Sequence, residues 1–271
     1  MYVVSTPIGN LRDITYRAVD VIGAADLVLA EDTRVTGRLL AALGLSRPLQ
    51  PYHDHNAEQQ RPRVLARLAE GARVALVSDA GTPLISDPGY KLVREAAAAG
   101  HAVRAVPGAS APLAALAVAG LPTDRFLFAG FPPARSAARR RWLEALAATP
   151  ATLVLFETGP RLRESLADMA AVFGPREAAV ARELTKLFET TYRGDLAALA
   201  ADPALQAPKG EIVVLVAPPA AEASSEAEVD RALRDALTQA ATGEAASAVA
   251  RALGVPRREV YRRALAMKAE P

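Results

Sequence analysis

The densest run of chemically useful side chains is Val77-Ser78-Asp79-Ala80-Gly81-Thr82-Pro83-Leu84-Ile85-Ser86-Asp87-Pro88-Gly89. It follows an apolar, strand-like segment and enters a helical pattern at Tyr90. Small residues there let backbone amides approach a ligand, and two carboxylates can accept hydrogen bonds from amino or hydroxyl groups. Ligands of open α/β sheets gather at this edge. Ser5-Thr6-Pro7-Ile8-Gly9-Asn10-Leu11-Arg12-Asp13-Ile14-Thr15 has the same strand-to-helix placement, with Pro7 and Gly9 shaping the turn and Asp13 placed to cap the helix. Val106-Pro107-Gly108-Ala109-Ser110-Ala111 is a third such loop, with Ser110 at an N-cap position. Three loops at one sheet edge predict one shared pocket. No G-x-x-x-x-G-K-[ST] occurs, and no G-x-G-x-x-G opens a helix after a strand, which disfavours triphosphate and dinucleotide chemistry.

Other polar groups end strand-like runs. Glu31-Asp32-Thr33-Arg34 follows the second, and Tyr52-His53-Asp54-His55-Asn56 the next extended piece. In a strand, His53 and His55 point the same way, so a metal pair is conceivable. No third ligand is evident, surface hydrogen bonding is the expected use, and no metal is assigned. In the second half, Phe156-Glu157-Thr158-Gly159-Pro160-Arg161 and Arg182-Glu183-Leu184-Thr185-Lys186 end strands, and Lys209-Gly210-Glu211 opens the last one. Arg135 to Arg141 is basic at a helix start, where arginine opposes the dipole; that placement favours a phosphate contact.

These side chains sit in a chain of 271 residues with no cysteine, three histidines and one tryptophan. The cysteine count excludes disulfide scaffolds, cysteine catalysis, iron–sulfur clusters and thiolate zinc sites. Alanine supplies 61 residues of the 51% hydrophobic fraction, leaving about 28% for larger apolar residues, an ordinary core share. Of the 32 basic residues 28 are arginines, the better partner for phosphate. No apolar run is long enough to span a membrane, and Met1–Ser5 runs directly into a strand-like segment without the charged and apolar regions of a secretion signal. The expectation is a cytoplasmic protein.

Strand-like runs at 2–5, 27–30, 73–78 and 102–106 alternate with helical patterns at 15–25, 36–43, 57–70 and 90–99. That rhythm predicts βαβ units and a mainly parallel sheet. A second set of strands is expected at 126–130, 152–156, 178–183 and 211–217, around helices at 139–148 and 161–172. The predicted organisation is an α/β domain over 1–115, a second over 116–217, a Pro/Ala/Ser/Glu-rich linker over 218–228, and a basic helical domain over 229–271. Within the last, A-x-x-V-A-x-x-L-G-V-P-R-x-x-V-Y-R-x-x-L has the form of a helix-turn-helix.

The strings VSTPIGNLRDIT, AEDTR, HDHN, VSDAGTPLISDPG, VPGASA, GLPTDRF, RELTK and KGE, in this order, resemble the tetrapyrrole methylase superfamily. Within it they are similar to the bacterial branch of small-subunit ribosomal RNA 2′-O-ribose (cytidine) methyltransferases, over residues 2–217. The resemblance implies two αβα domains with S-adenosylmethionine in the cleft between them, and a homodimer. By matching positions it assigns cofactor contacts to Pro7, Asp79, Ala80, Gly81, Ser86, Asp87, Ser110, Ala111, Phe156, Glu157, Gly210 and Glu211. The chain departs from the family in two places. PGAS stands where many members have PGP, and FETGPRL lacks the histidine that usually precedes the arginine, so no catalytic histidine acts there.

A ribose hydroxyl is a poor nucleophile, so a base is expected. The candidates are Glu31, Asp32, Glu183 and, if its pKa is lowered, Lys186. Arg12, Arg34, Arg139, Arg140, Arg141, Arg257, Arg258 and Arg262 are candidates for RNA phosphates, in ribosomal RNA or the small subunit. Competing readings are a C-methyltransferase acting on a tetrapyrrole or corrin precursor and a non-catalytic RNA-binding module.

Overall fold

The computed structural model describes residues 1–220 and 226–269; part of the expected linker (221–225) and the last two residues lie outside the described residues. The chain divides into two compact units, Met1–Pro219 and Ala220–Pro271.

The first unit begins with β1 (Tyr2–Val4), α1 (Tyr16–Ala24), β2 (Leu27–Ala30), α2 (Thr33–Ala42), β3 (Leu49–Pro51), α3 (Ala57–Ala69), β4 (Val74–Val77), α4 (Tyr90–Ala98), β5 (Arg104–Val106) and α5 (Ala111–Ala119). The strands form one sheet in the order β3-β2-β4-β1-β5, and every pairing is parallel. Alternation along the strands sorts the core. Leu27, Leu29 and Leu76 pack with Val64, Leu68 and Leu92 of α3 and α4, whereas Val28, Ala30 and Val77 pack with Ala18, Ile22 and Leu40 of α1 and α2. Helices on both faces explain why β2 and β4 are apolar at every position. Parallel βαβ units bring the carboxyl ends of β1, β4 and β5 to one edge, which positions the three motif loops.

The second half adds β6 (Phe126–Gly130), α6 (Ser136–Glu144), β7 (Thr152–Thr158), α7 (Gly159–Phe173), β8 (Glu177–Arg182), β9 (Thr190–Asp195), α8 (Leu196–Ala201) and β10 (Glu211–Val216). This sheet runs β6-β7-β10-β8-β9 and is parallel only between β6 and β7. The sequence patterns set no strand direction for this sheet. Seven residues separate β8 from β9, too few for the crossover that parallel neighbours need, and β10 inserts antiparallel between β7 and β8. β3, β9 and α8 are elements the sequence patterns did not mark. α5, apolar on every side, has Ala115, Leu116 and Ala119 packed on Val154, Ala179, Val213 and Leu215 of the second sheet. The helix that leaves the first sheet thus supplies a core layer of the second.

α2 begins three residues before the predicted start because the Asp32 side chain accepts a hydrogen bond from Arg34 N and caps it. Thr15, rather than Asp13, caps α1 through Ala18 N, while Asp13 ends a short 3₁₀ turn, Leu11–Asp13. Ser110 precedes α5 but its side chain makes no capping bond.

α6 corrects one expected RNA contact. The Arg139 side chain is 1% exposed, donates from Nε to Asp168 Oδ2 at 2.8 Å, and its Nη2 lies 2.7 Å from the same oxygen. Asp168 also accepts from Arg140 Nε at 2.6 Å and Ser136 Oγ at 3.1 Å. Burial acts to raise the Asp168 pKa, but the hydrogen bonds from Arg140, Ser136 and Arg139 outweigh it and hold the carboxyl below its usual range. Arg139 is therefore an internal tie between α6 and α7 and does not reach a phosphate.

In the second unit, α9 (Glu226–Leu237), α10 (Thr242–Leu253) and α11 (Arg257–Ala269) enclose Val229, Leu233, Ala246, Val249, Val260 and Ala264. Gly254, left-handed at φ 64°, ends α10 and turns the chain into α11. Arg263 is tied to Asp230 at 3.0 Å and Glu226 at 2.7 Å. No helix among the described residues is long and apolar enough to cross a membrane.

Removing Asp168 leaves the buried Arg139 guanidinium with the carbonyls of Pro133 and Ala134, and with only the exposed Glu164, 3.8 Å away, to balance its charge. Asp168→Ala is expected to cost about 3–5 kcal/mol in urea unfolding; a loss below about 1 kcal/mol, the surface-pair range, contradicts the assignment.

Candidate functional site

The three motif loops are stitched together by backbone. Thr6 N donates to Gly81 O at 2.9 Å and Gly81 N to Thr6 O at 3.1 Å, a one-residue antiparallel bridge between the β1 and β4 loops. Thr6 Oγ1 also donates to Ser78 O at 3.1 Å, and Ser78 Oγ to Gly81 O at 3.0 Å. On the other side, Ser5 Oγ lies 2.9 Å from Thr82 Oγ1, which donates to Ala109 O at 3.1 Å in the β5 loop. Gly81 has φ 85°, within the left-handed region that glycine tolerates. A Cβ on Gly108 would stand 2.9 Å from Ser5 Cβ, so this glycine permits the close approach of the β5 loop.

Strain concentrates in the same places. Among the described residues, positive φ at non-glycine positions occurs at Leu84 (76°), Ser86 (65°), Glu183 (52°) and Thr185 (67°). Two lie in the β4 loop and two in the loop after β8. Each such residue costs roughly 1–3 kcal/mol, and such outliers cluster at ligand sites.

The bridge divides the expected single pocket into two clefts that share no lining residue. One, about 310 Å³, is lined by Thr6, Pro7, Ile8, Gly9, Val35, Arg38, Asp79, Ala80, Lys186 and Glu211. The other, about 440 Å³, is mainly apolar: Ile85, Pro107, Leu113, Phe126 and Phe128 form walls, and Ser5, Thr82, Gly108 and Ser110 contribute polar edges. Of the residues expected to hold a cofactor, Pro7, Asp79, Ala80 and Glu211 stand in the first cleft and Ser110 in the second. Phe156 stacks edge-on against Phe128, with centroids 4.9 Å apart, behind the second cleft. Gly81 forms the bridge, Ala111 begins α5, and a Cβ built on Gly130 would lie 3.7 Å from Ser86 Oγ. Glu157 is buried, accepts from Thr158 N at 2.9 Å and faces Arg161 at 3.3 Å. Sequence reasoning missed Thr82, Ile85, Phe126, Phe128 and Arg38. Thr82 and Ile85 lie in the 77–89 motif, beside its two carboxylates.

The candidate bases separate by environment. Asp32 is held at about 2 by its hydrogen bonds with Arg34. Glu183 sits below its usual range because Lys186 Nζ donates to its Oε1 at 2.9 Å. Burial acts to lower the Lys186 pKa, but Glu183 and Glu211, the latter 3.1 Å away, reverse the sign and raise it. Lys186 is thus an ammonium, which corrects its candidacy as a base. Glu31 alone of the four is shifted upward among the carboxylates, first by burial and then by Asp87, Asp79, Asp54 and Asp32; it lines neither cleft. Asp79 Oδ1 accepts from Asp32 N at 3.0 Å, so this carboxylate ties the β4 loop to the end of β2.

Gly9 lets the loop after β1 approach the loop after β8, and Gly210 lets the start of β10 approach that same loop. A Cβ on Gly9 would lie 2.4 Å from Lys186 Cγ, and one on Gly210 would lie 2.3 Å from Glu183 Oε1. His53 and His55 lie in the turn before α3 instead of a strand, with ring centroids 5.9 Å apart and edge to face. Of the candidate RNA contacts, Arg12, Arg34, Arg140, Arg141, Arg257, Arg258 and Arg262 are exposed; Arg34 is paired with Asp32 and Arg140 with Asp168.

Asp87 is pushed up to about 6 from 3.8, mainly by burial, with Asp79 adding repulsion and Ser78 opposing it. As pH rises the unfolded chain ionises first, so the folded state loses stability between those two values and keeps the deficit above the upper one. Asp87→Asn is expected to gain stability over wild type progressively between about pH 4 and about pH 7. A difference independent of pH, measured by thermal unfolding across that range, contradicts the burial assigned to this carboxyl.

Comparison with known proteins places this geometry. The profile of Tetrapyrrole (Corrin/Porphyrin) Methylases matches residues 1–200, and that of the RsmI C-terminal HTH domain matches residues 223–268. A protein of Mesorhizobium japonicum named ribosomal RNA small subunit methyltransferase I is 51% identical over 99% of this chain and 92% of its own length. One of the same name from Pseudomonas aeruginosa is 48% identical over 98% and 96%. Among solved structures, a diphthine synthase superposes with a TM-score of 0.62 at 20% identity, covering 80% of this chain and 88% of that one. The methyltransferase CobJ gives 0.59 at 20% identity, covering 83% and 95%. The fold is shared with both, and the chain belongs to the tetrapyrrole (corrin/porphyrin) methylase family.

Proposed function

We propose that this protein is an S-adenosylmethionine-dependent methyltransferase that modifies the 2′-hydroxyl of a cytidine ribose in small-subunit ribosomal RNA. The observation that carries the reading is the pairing of relatives about half identical over nearly their full length, each named ribosomal RNA small subunit methyltransferase I, with intact motif loops in this chain. The ribose position and the cytidine follow from the motif resemblance. A tetrapyrrole precursor, the competing substrate, gives no task to the exposed arginines of α11.

The 440 Å³ cleft fits the cofactor best. Its volume lies in the usual range for small-molecule sites, and its apolar walls with a few hydroxyls suit a flat base and a ribose. The close approach of Gly108 to Ser5 leaves backbone and hydroxyl groups, rather than bulky side chains, on one wall. Ser110, Thr82 and Ser5 supply hydrogen bonds there, while Phe128, backed by Phe156, and Ile85 exclude water. When bound, S-adenosylmethionine supplies an electrophilic methyl group. The protein's part is alignment in a dry site, where orientation alone is worth several orders of magnitude in rate.

The enzyme works in the cytoplasm, with ribosomal RNA as its partner, and as a homodimer. The exposed Leu187 and Phe188 (89% and 65%) give it apolar surface of the kind that subunits cover. Arg12, Arg141, Arg257, Arg258 and Arg262 contribute phosphate contacts that add together and weaken with salt.

Incubation with methyl-labelled S-adenosylmethionine and small ribosomal subunits is expected to label one cytidine at its ribose; label in a tetrapyrrole precursor instead overturns the reading. Ile85→Arg, at a residue 39% exposed, is expected to leave the fold intact and weaken cofactor binding at least about tenfold in calorimetry, as an obstructed cleft requires. Unchanged affinity moves the cofactor out of this cleft.

A further inference from the structure

The 310 Å³ cleft holds Pro7, Asp79, Ala80 and Glu211, which the family resemblance assigned to the cofactor, but the other cleft fits the cofactor better and the charges here are sorted for a different occupant. Arg38, on α2, stands at its exposed rim and has no hydrogen-bond or ion-pair partner among the described residues. Its neighbour one turn earlier, Arg34, is occupied by Asp32 through Nε at 3.0 Å and Nη2 at 2.6 Å. Further in, Asp79 is half-buried with one oxygen engaged by Asp32 N, and Lys186 is held between Glu183 and Glu211. Val35, Leu39, Ile8 and Leu11 supply apolar surface between these groups. One unpaired cation at the mouth, a half-buried carboxylate acceptor (Asp79) further in, an exposed and lysine-paired Glu211, and apolar walls form a polarity that a nucleotide matches. Its phosphate meets the guanidinium, its hydroxyl and amino donors meet the carboxylates, and its base meets the apolar surface. A tetrapyrrole polycarboxylate fits less well, since most of its acidic groups would face Asp79 and Glu211.

We infer that this cleft seats a nucleotide of the RNA strand next to the methylated one, with Arg38 gripping its phosphate. The inference rests on the ribosomal RNA reading. The position beside the target, rather than the target itself, follows from the Thr6–Gly81 bridge. Thr6 opens into one cleft and Ser5 into the other, with paired backbone between them. An occupant of the first cleft is therefore walled off from a cofactor in the second. The reacting ribose must enter from the cofactor side, and the strand must cross the bridge to place its neighbour on Arg38.

The test compares wild type, Arg38→Ala and Arg38→Lys in methyl transfer to small ribosomal subunits at several salt concentrations. Arg38→Ala is expected to raise KM about tenfold with a smaller effect on kcat, and to make the salt dependence shallower by about one phosphate contact. Arg38→Lys is expected to recover most of the KM, because a point charge still meets a phosphate. Affinity for S-adenosylmethionine, measured by calorimetry, is expected to match wild type. Unaltered KM and salt slope in Arg38→Ala, with wild type active, overturn the subsite alone. A parallel loss of cofactor affinity also overturns it, by assigning the cleft to the cofactor. Wild type that labels no ribosomal subunit removes the ribosomal RNA reading, and the subsite with it.

Discussion

The site depends on two hydrogen bonds between Thr6 and Gly81. Loops following β1 and β4 have no ladder beyond the sheet edge, and a loop left to itself would lose its shape to conformational entropy. The bridge replaces the missing ladder and fixes the β4 loop at its root. Only then can Leu84 and Ser86 hold left-handed backbone, whose strain needs a surrounding structure that overdetermines it. The Ser5–Thr82–Ala109 chain extends the same restraint to the β5 loop. Rigidity here is functional, because a methyl transfer is accelerated chiefly by placement.

A second restraint comes from charge. Lys186 sits between Glu183 and Glu211, and its alkyl chain leaves room only for a glycine at position 9. The loop after β8 is thereby locked against the loop after β1, so the two sheets present their edges to one another at a fixed separation. Elsewhere the protein tolerates repulsion. Glu31, Asp79 and Asp87 crowd the ends of β2 and β4; burial raises Glu31 and Asp87 first, and repulsion from neighbouring carboxylates adds to it. Asp32 and Glu183, each bound to a cation, sit below their usual range.

Much of the first sheet was legible because β2 and β4 are short apolar runs bounded by helical periodicity, a pattern with few other solutions. β3, the three residues Leu-Gln-Pro, and β9, Thr-Thr-Tyr-Arg-Gly-Asp, carry no such signal; edge strands are half exposed and need no apolar alternation. Strand direction in the second sheet was hidden because β10 arrives from far along the chain to separate β7 and β8. The motif loops were readable as ligand loops from their composition. Which side chain faces which cleft was not, since Asp79 turns to the Asp32 amide, at the cap of α2 and distant in sequence. Arg139 looked like a phosphate contact for the same reason, its partner Asp168 lying on the next helix.

On the proposed reading, paired backbone between Thr6 and Gly81 separates a cofactor cleft from an RNA-facing one. Amide hydrogen exchange, with and without S-adenosylmethionine, tests it most directly. Bound cofactor is expected to slow exchange in residues 82–86, 107–113 and 126–131 and to leave residues 33–42 of α2 unchanged. Protection of α2 by the cofactor alone, with the β5 loop and β6 unaffected, would contradict it.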